Sequence, residues 1–269
     1  MSEYTSVAAH RSTSAAFFDL DRTLISGSSA FTLAIEARRA GLIPTHEFVR
    51  DAAGAAAFKL FGASDDTSDE VKKRILGAVK GMEQADLVAI NAEVLPKLIE
   101  RVRPEAKRLV ERPRHAGRDT FIVSAAPQEI VEPLALALGM TGGIGTRSEL
   151  EDGVYTGELS GPFCYGPGKV EAMKELAAWH DYDLDQSYAY SDSASDFPML
   201  DAVGHPVAVN PDSPLERRAR AEGWPIVIFS ERTKSVVRRS LSTTVAVGIG
   251  AAGFAAGRMA RPTKRRFLR

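Results

Sequence analysis

The sequence predicts an α/β protein with a doubly wound, mostly parallel sheet and a helical cap inserted after the first strand. Short apolar runs bounded by turn-forming residues recur along the chain, and such runs are typical of fully buried parallel strands. Helical patterns separate most of these runs, which favours right-handed crossovers within one sheet. Residues 29–103 interrupt the alternation, because their apolar residues recur only at helical spacing.

The predicted elements follow in order from these patterns. The first strand covers residues 15–19 and ends at an acidic residue. The other predicted strands cover residues 120–124, 187–191, 206–210 and 225–229. The predicted helices after the cap cover about residues 104–116, 127–139, 168–180, 195–202 and 213–222. Residues 142–161 contain an Asp152-Gly153 turn between two short segments, a pattern that predicts a small inserted β-hairpin.

We therefore expect three parts in the chain. Residues 14–28 together with 104–230 form the core that contains the sheet. Residues 29–103 form the helical cap over one edge of that sheet. Residues 231–269 form a tail of different composition, apolar at first and basic at its end.

Composition excludes several classes of protein. A hydrophobic fraction of 44% and a charged fraction of 26% are ordinary for a soluble globular chain. The formal net charge of −1 gives no overall electrostatic case for nucleic-acid binding. Cys164 is the single cysteine, so an internal disulfide is impossible. The N-terminus lacks the apolar run of a secretory signal, and we expect a cytoplasmic protein.

Polar residues that can carry chemistry cluster after the predicted strands. In open α/β sheets, ligands bind outside the carboxyl ends of the strands. The residues found there are Asp19, Asp21, Ser124, Asp192 and Asp196, with Lys169 at the start of a predicted helix. Each alone is more often a helix cap, a turn residue or a solvated charge. Their joint occurrence at one edge of a sheet favours a functional site.

Four segments carry a resemblance to a known family. The sequence DLDRTL at residues 19–24, Ser124 after an apolar strand, the isolated Lys169, and SDSASD at residues 191–196 occur in this order. They resemble the four motifs of the haloacid dehalogenase (HAD) superfamily of phosphatases. The cap after the first motif resembles the phosphoserine phosphatase-like branch, subfamily IB. The resemblance spans about residues 15–230 and implies a HAD-like Rossmannoid core.

The resemblance also implies a phosphatase mechanism. Asp19 would be the nucleophile that forms an aspartyl phosphate, and Asp21 would act as general acid and then as general base. Mg²⁺ prefers hard oxygen ligands, which Asp19, the main-chain carbonyl of Asp21 and Asp192 would supply.

The remaining site residues would bind phosphate or support the site. Ser124 and Lys169 would hold phosphate oxygens, and the lysine would also offset repulsion between the nucleophile and the incoming anion. Asp196 and Ser195 would lie behind the direct ligands, with Asp196 also able to contact the metal.

The chain departs from the family pattern in ways that bear on the substrate. Phosphoserine phosphatases typically carry a glutamate nine positions after the nucleophile, where it meets the substrate ammonium, but this chain has Ser28. Phosphoserine is therefore a less favoured substrate, although Glu36 could substitute from the cap. Ser195 replaces the amide residue of the fourth motif. Arg22 could face the substrate, but pairing with a surface acid is the favoured interpretation.

These observations predict a Mg²⁺-dependent phosphatase acting on a small phosphorylated metabolite or a lysophospholipid-type substrate. A phosphomutase of the same superfamily is an alternative that shares the aspartate pair. A dehalogenase is disfavoured because its chemistry does not need Asp21. A non-catalytic regulatory or membrane-tethered protein is the alternative outside enzymes, and it is disfavoured because the acidic residues of the site are present.

The tail permits three interpretations. Residues 240–257 carry no charge, and a basic cluster follows them. The apolar stretch is short and rich in small residues for a membrane span, while the basic flank suits anionic lipid. A membrane contact through residues 240–269, a helix that docks on the protein, and a disordered tail remain open.

Overall fold

The computed structural model describes residues 12–42 and 66–229, which contain eight strands. In chain order these are β1 (Ala15–Asp19), β2 (Asp119–Pro127), β3 (Gly142–Thr146), β4 (Ser148–Glu151), β5 (Val154–Leu159), β6 (Tyr188–Ser191), β7 (His205–Val209) and β8 (Ile226–Val227). Six of them form one sheet in the order β3-β2-β1-β6-β7-β8, with every neighbouring pair parallel. The predicted doubly wound α/β fold is confirmed.

Helices connect and flank these strands. In chain order we number them α1 (Ser29–Arg39), α2 (Asp66–Val79), α3 (Gln84–Ala89), α4 (Asn91–Glu100), α5 (Pro104–His115), α6 (Gln128–Ala137), α7 (Pro167–His180), α8 (Phe197–Asp201) and α9 (Ser213–Glu222). Helices α1 to α4 lie in the inserted region between β1 and β2, as its helical spacing predicts. The helices predicted after this region are present within two or three residues of their expected ends, α8 being preceded by a short 3₁₀ turn.

Strand β1 lies inside the sheet between β2 and β6, and every one of its residues is buried. Phe17 pairs in register with Phe121 on β2 and with Ala189 on β6. A strand covered by helices on both faces needs such a continuous apolar run. Because β2 and β6 flank β1, the carboxyl ends of these three strands meet at one edge.

Strand β3 corrects one sequence expectation. Residues 142–161 were expected to form only an inserted hairpin, but residues 142–146 pair with β2 as an edge strand of the main sheet. Glycine-rich sequence has low strand propensity, which conceals this strand. Helix α6 lies so close that a Cβ atom on Gly143 would stand 2.7 Å from the main chain of Val131. The hairpin itself is confirmed as the antiparallel pair β4 and β5.

The turn between α2 and α3 is bonded to this hairpin. Gly81 N donates to the carbonyl of Tyr155 at 2.9 Å, and Tyr155 N donates to the carbonyl of Met82 at 3.0 Å. Gln84 N donates to the carbonyl of Gly153 at 2.9 Å. Main-chain hydrogen bonds therefore attach one end of the inserted helices to the hairpin.

Residues 231–269, including the candidate membrane contact at 240–269, lie outside the described residues. No helix within residues 12–42 and 66–229 is long and apolar enough to span a membrane.

Candidate active site

The predicted site residues meet at the carboxyl edge formed by β1, β2 and β6. Asp19 is the last residue of β1 and pairs in register with Val123, so Ser124 follows directly at the same edge. Ser191 ends β6, and Asp192 follows it. Asp19, Ser124 and Asp192 are all buried.

Lys169 enters this edge from the first turn of α7. Its side chain is 3% exposed, and its Nζ donates to Asp19 Oδ1 at 2.6 Å and to Asp196 Oδ2 at 2.9 Å. Pro167 suits the first helical turn, since that position needs no amide hydrogen. Gly168 contacts the carbonyl of Phe163 so closely that no side chain would fit. This close approach fixes the start of α7 and places the lysine between the two carboxylates.

Asp196 is held by a second donor. Ser191 Oγ donates to Asp196 Oδ2 at 2.6 Å. The aspartate is 2% exposed, so its charge depends on Lys169 and this hydroxyl for compensation. Asp196 therefore orients the lysine toward Asp19.

Asp21 is positioned by the start of α1. Its Oδ1 accepts from Ser29 N at 2.8 Å, and a helix N-terminus favours a carboxylate there. Ser28 caps the same helix, because its Oγ accepts from Phe31 N at 3.3 Å. Burial raises the pKa of Asp21 above its ordinary value, while the hydrogen bond from Ser29 opposes that rise.

Arg22 contacts Asp192 across the edge of the sheet. Its Nε lies 3.1 Å from Asp192 Oδ2, and its own side chain is 60% exposed. Pairing with a surface acid was the favoured expectation, and it is wrong because the partner is a buried acid of the site. The two residues are distant in sequence, and only the pairing of β1 with β6 brings them together.

Burial is the main cause of the raised pKa values of the acids in this cluster, and neighbouring charges modify them. Burial raises the pKa of Asp19 to about 6, with Lys169 opposing the rise and Asp196 adding to it. Burial raises the pKa of Asp192 to about 7, with repulsion from Asp19 adding to it and Arg22 opposing it. Burial alone would lower the pKa of Lys169, but Asp19 and Asp196 together raise it above its ordinary value.

Two serines differ in how they face this cluster. Ser124 Oγ accepts from Ala126 N at 3.2 Å, so its hydroxyl hydrogen remains available for another acceptor. Ser195 Oγ instead donates to Ser193 Oγ at 3.1 Å, within its own turn. Neither bonds directly to Asp19, Lys169 or Asp192.

The sequence of the chain is similar to those of known proteins. A family model described as haloacid dehalogenase-like hydrolase matches residues 16–201. The chain belongs to this family. A probable phosphatase of Mycobacterium tuberculosis is 40% identical over 266 residues, covering 96% of this chain and 92% of the relative.

Two further proteins extend the comparison. A phosphoserine phosphatase of M. tuberculosis is 36% identical over 257 residues, covering 92% of this chain and 80% of the relative. The crystal structure of a Bordetella pertussis protein of unknown function is 29% identical with a TM-score of 0.71, covering 80% of this chain and 99% of that one. The predicted membership of the haloacid dehalogenase superfamily is confirmed.

The sequence interpretation missed a residue that supports the fourth motif of this HAD-like hydrolase. Asp212 Oδ2 accepts from Ala194 N at 3.0 Å, and its Oδ1 accepts from Leu215 N at 2.9 Å. Its own N donates to the carbonyl of Asp192 at 2.8 Å. Asp212 followed by Ser-Pro indicates an N-cap for α9, but nothing local indicates the bonds to the neighbouring loop.

Glu36 is already paired within the cap. Lys97 Nζ lies 2.6 Å from Glu36 Oε2, and Arg39 Nη1 lies 2.9 Å from Glu36 Oε1. The glutamate side chain is 5% exposed. Both carboxylate oxygens therefore have cationic partners, which leaves this residue poorly suited to bind a substrate ammonium group.

No three histidine, cysteine, aspartate or glutamate side chains in the described ranges converge as a metal-binding group. HAD phosphatases generally use Mg²⁺. The ligand set expected here contains two carboxylates and one main-chain carbonyl, and Arg22 contacts one of those carboxylates.

Proposed function

We propose that this HAD-like hydrolase is a Mg²⁺-dependent phosphatase that forms an aspartyl phosphate on Asp19. The observation that carries the proposal is the contact of Lys169 with Asp19 and Asp196 at the carboxyl edge of the sheet. A buried lysine beside a buried carboxylate can compensate the charge of an incoming phosphate. The relatives named as phosphatases support the same reaction class.

Asp19 is suited to the nucleophilic step. Lys169 binds Oδ1, which leaves Oδ2 for in-line attack on phosphorus. A bond forms between this oxygen and phosphorus while the bond to the leaving oxygen breaks. Water then attacks the aspartyl phosphate, releases inorganic phosphate and restores the carboxylate.

Asp21 is suited to both proton transfers. As a carboxylic acid it protonates the leaving oxygen, and the resulting carboxylate then takes a proton from the attacking water. Its raised pKa favours the acid form needed first. The bond from Ser29 N holds Oδ1 in place at this edge.

The residues at this edge fit a magnesium ion. Asp19, the main-chain carbonyl of Asp21, and Asp192 would hold it, since Mg²⁺ prefers oxygen ligands. Burial raises the pKa values of Asp19 and Asp192, and a divalent cation bound between them would favour their charged forms. When bound, the ion would shield the charge of the phosphate from that of the nucleophile.

The remaining predicted residues have supporting roles in this proposal. The Ser124 hydroxyl donates to a phosphate oxygen, together with the Lys169 ammonium. Asp196 orients Lys169 and acts through it. Ser195 shapes the loop that carries Asp192, because its bonds are to Ser193.

The proposed function also assigns a role to each part of the chain. Residues 14–28 with 104–230 form the catalytic core, and residues 29–103 form a cap that bounds the substrate pocket. The bond from Ser29 N to Asp21 supports this, because it joins the first helix of the cap to the proposed acid. A cytoplasmic location and a tail of residues 231–269 remain sequence predictions.

We propose a small phosphorylated metabolite as the substrate. One relative is named a phosphoserine phosphatase, which makes phosphoserine a compound to test. Ser28 caps α1, and Glu36 is paired with Lys97 and Arg39, so neither supplies a free carboxylate for the ammonium of phosphoserine. A phosphorylated compound without an ammonium group is therefore favoured. The lysophospholipid-type alternative rests on the tail sequence alone.

The experiment measures Mg²⁺-dependent phosphate release from phosphoserine, sugar phosphates, nucleotides and lysophosphatidic acid. Asp19→Asn should abolish release, because an amide cannot form the phosphorylated intermediate. Asp152→Asn makes the same chemical change in an exposed turn and should retain full activity. Activity retained in Asp19→Asn would refute the mechanism. An isomerised phosphate ester without free phosphate would indicate the mutase alternative, and inactivity of the wild type throughout would favour the non-catalytic one.

A further inference from the structure

Arg22 has a backbone conformation that aims it at the acidic cluster. Its φ angle is +67°, in the left-handed region that residues other than glycine rarely adopt. Such a conformation persists where surrounding contacts fix it, and it is common at functional sites. Here it directs the side chain of a residue next to Asp21 toward Asp192, at 3.1 Å.

The surroundings of Asp192 explain why it needs a cation. After burial, the main influences on its pKa are the charged groups Asp19, Arg22, Asp196 and Asp212. Three of these are acids that repel its charge, and Arg22 alone in that set attracts it. Lys169 is bonded to Asp19 and Asp196 instead. The guanidinium therefore provides the direct positive contact of Asp192 in the described part of the chain.

The contact is arranged so that it can be exchanged. Asp192 is 6% exposed, whereas the Arg22 side chain is 60% exposed. The closest approach is between Arg22 Nε and Asp192 Oδ2, at 3.1 Å. A largely solvated guanidinium can leave at low cost, because water replaces its lost partner.

We propose that Arg22 and the divalent cation compete for Asp192. The inference rests on the proposed function, in which Asp192 is a metal ligand. Before metal binds, Arg22 compensates the charge of Asp192 and stabilises the loop. Metal binding displaces the guanidinium into solvent, and this exchange weakens the measured metal affinity. Arg22 is thus a residue that sets metal affinity and makes no direct contact with the reacting atoms.

The first test measures metal affinity in the full-length protein without substrate. Mn²⁺ binding is followed by electron paramagnetic resonance, and Mg²⁺ is titrated as competitor. Arg22→Gln should bind both ions about fivefold more tightly. An exposed ion pair contributes up to about 1 kcal/mol, and in this variant the metal no longer has to break that pair. Arg108→Gln, which makes the same charge change on the exposed face of α5, should bind like the wild type.

The second test examines the contact without metal. In chelator, Arg22→Gln should lower the melting temperature in the wild-type background and leave it unchanged in the Asp192→Asn background. Equal effects in both backgrounds, or unchanged or weaker metal affinity in Arg22→Gln, would overturn the inference while leaving the phosphatase proposal intact. If neither Mn²⁺ nor Mg²⁺ bound to the wild type, to Arg22→Gln or to Arg108→Gln, the proposal that Asp192 is a metal ligand would be overturned. This inference would then be overturned with it.

Discussion

Lys169 determines the charge balance among the buried side chains of the site. Its ammonium lies within 2.9 Å of both Asp19 and Asp196, and all three side chains are largely removed from water. Breaking a buried ion pair by removing one partner is strongly destabilising, because an uncompensated charge remains. The same lysine is therefore required for stability and, in the proposed mechanism, for phosphate binding.

We expect Lys169→Met to lower the free energy of unfolding by about 3 kcal/mol, because two buried carboxylates lose their shared cation. Phosphate release should fall at least about 100-fold, since an electrostatic contact to the phosphate is lost. Urea denaturation and the phosphate-release assay measure the two effects. Lys174→Met, on the exposed face of the same helix, should change neither.

A double variant, Lys169→Met with Asp196→Asn, shows whether the stability lost in Lys169→Met comes from uncompensated charge or from lost packing. The second change removes one uncompensated carboxylate, so it should restore part of the lost stability without restoring activity. If Lys169→Met proved as stable as Lys174→Met, the assignment of Lys169 as the essential counter-charge would be refuted.

At the residue scale, the sequence predicted single positions better than their partners. The positions of Asp19, Ser124, Lys169 and Asp192 could be located because each lies in, or directly after, a recognisable strand or helix. The contact of Arg22 with Asp192 could not, because it joins loops far apart in the chain that only the β1–β6 pairing brings together. Periodicity locates elements, but it contains no information about which loop side chains meet.

At the element scale, the packing of α6 on β3 depends on glycine. Gly143 lies where a Cβ would stand 2.7 Å from both the carbonyl carbon and the carbonyl oxygen of Val131. Side chains of α6 also bond directly to the strand. Gln128 Nε2 donates to the carbonyl of Gly143 at 2.9 Å, and Gly143 N donates to Glu132 Oε2 at 2.6 Å. Helix and edge strand are thus joined by contacts that require a close approach.

Gly143→Ala should lower the free energy of unfolding by about 2 kcal/mol, because the added methyl group must displace the main chain of α6. Gly77→Ala is the matched control, since a Cβ at that position in α2 has open space around it. It should instead raise stability by about 0.5 to 1 kcal/mol through better helix propensity. Urea denaturation of both variants measures the difference, and equal stability would contradict the packing argument.

The close packing of α6 on β3 explains why the sequence did not predict this strand. Strands β1 and β7 are detectable from their apolar residues, but β3 has the sequence GGIGT. Gly143 and Gly145 are required by the close approach of α6, a tertiary constraint that overrides local strand propensity. The helices of the core could be predicted more closely, because their length and their apolar spacing are local properties.

At the scale of the whole molecule, a doubly wound parallel sheet could be predicted from the alternation of elements, whereas the order of its strands was not predicted. The inserted helices between β1 and β2 were also expected, since no strand pattern interrupts them. Their attachment to the hairpin was not expected. It uses main-chain groups of residues 81–84 and 153–155, and main-chain hydrogen bonds leave no side-chain pattern in the sequence.

The tail gives a prediction for the whole chain. An alignment that covers 96% of the chain extends into residues 230–269, so similarity to the probable phosphatase of M. tuberculosis includes part of this segment. One of the three interpretations of the tail is a membrane contact, in which its basic cluster would attract anionic lipid. This interpretation predicts that the full chain binds vesicles of anionic phosphatidylglycerol, binds neutral phosphatidylcholine vesicles less, and dissociates at high salt.

Substituting glutamine for Lys264, Arg265 and Arg266 together should weaken this binding about 100-fold, since each basic residue near an anionic surface contributes about 1 kcal/mol. Vesicle co-sedimentation measures the effect. The control replaces three exposed basic residues outside the tail with glutamine: Arg108, Lys174 and Arg217. Because its net charge changes equally, unequal binding of the two variants would assign the effect to the tail. Equal binding of the wild-type chain to both vesicle types would refute the membrane interpretation and favour a tail that docks on protein or remains free.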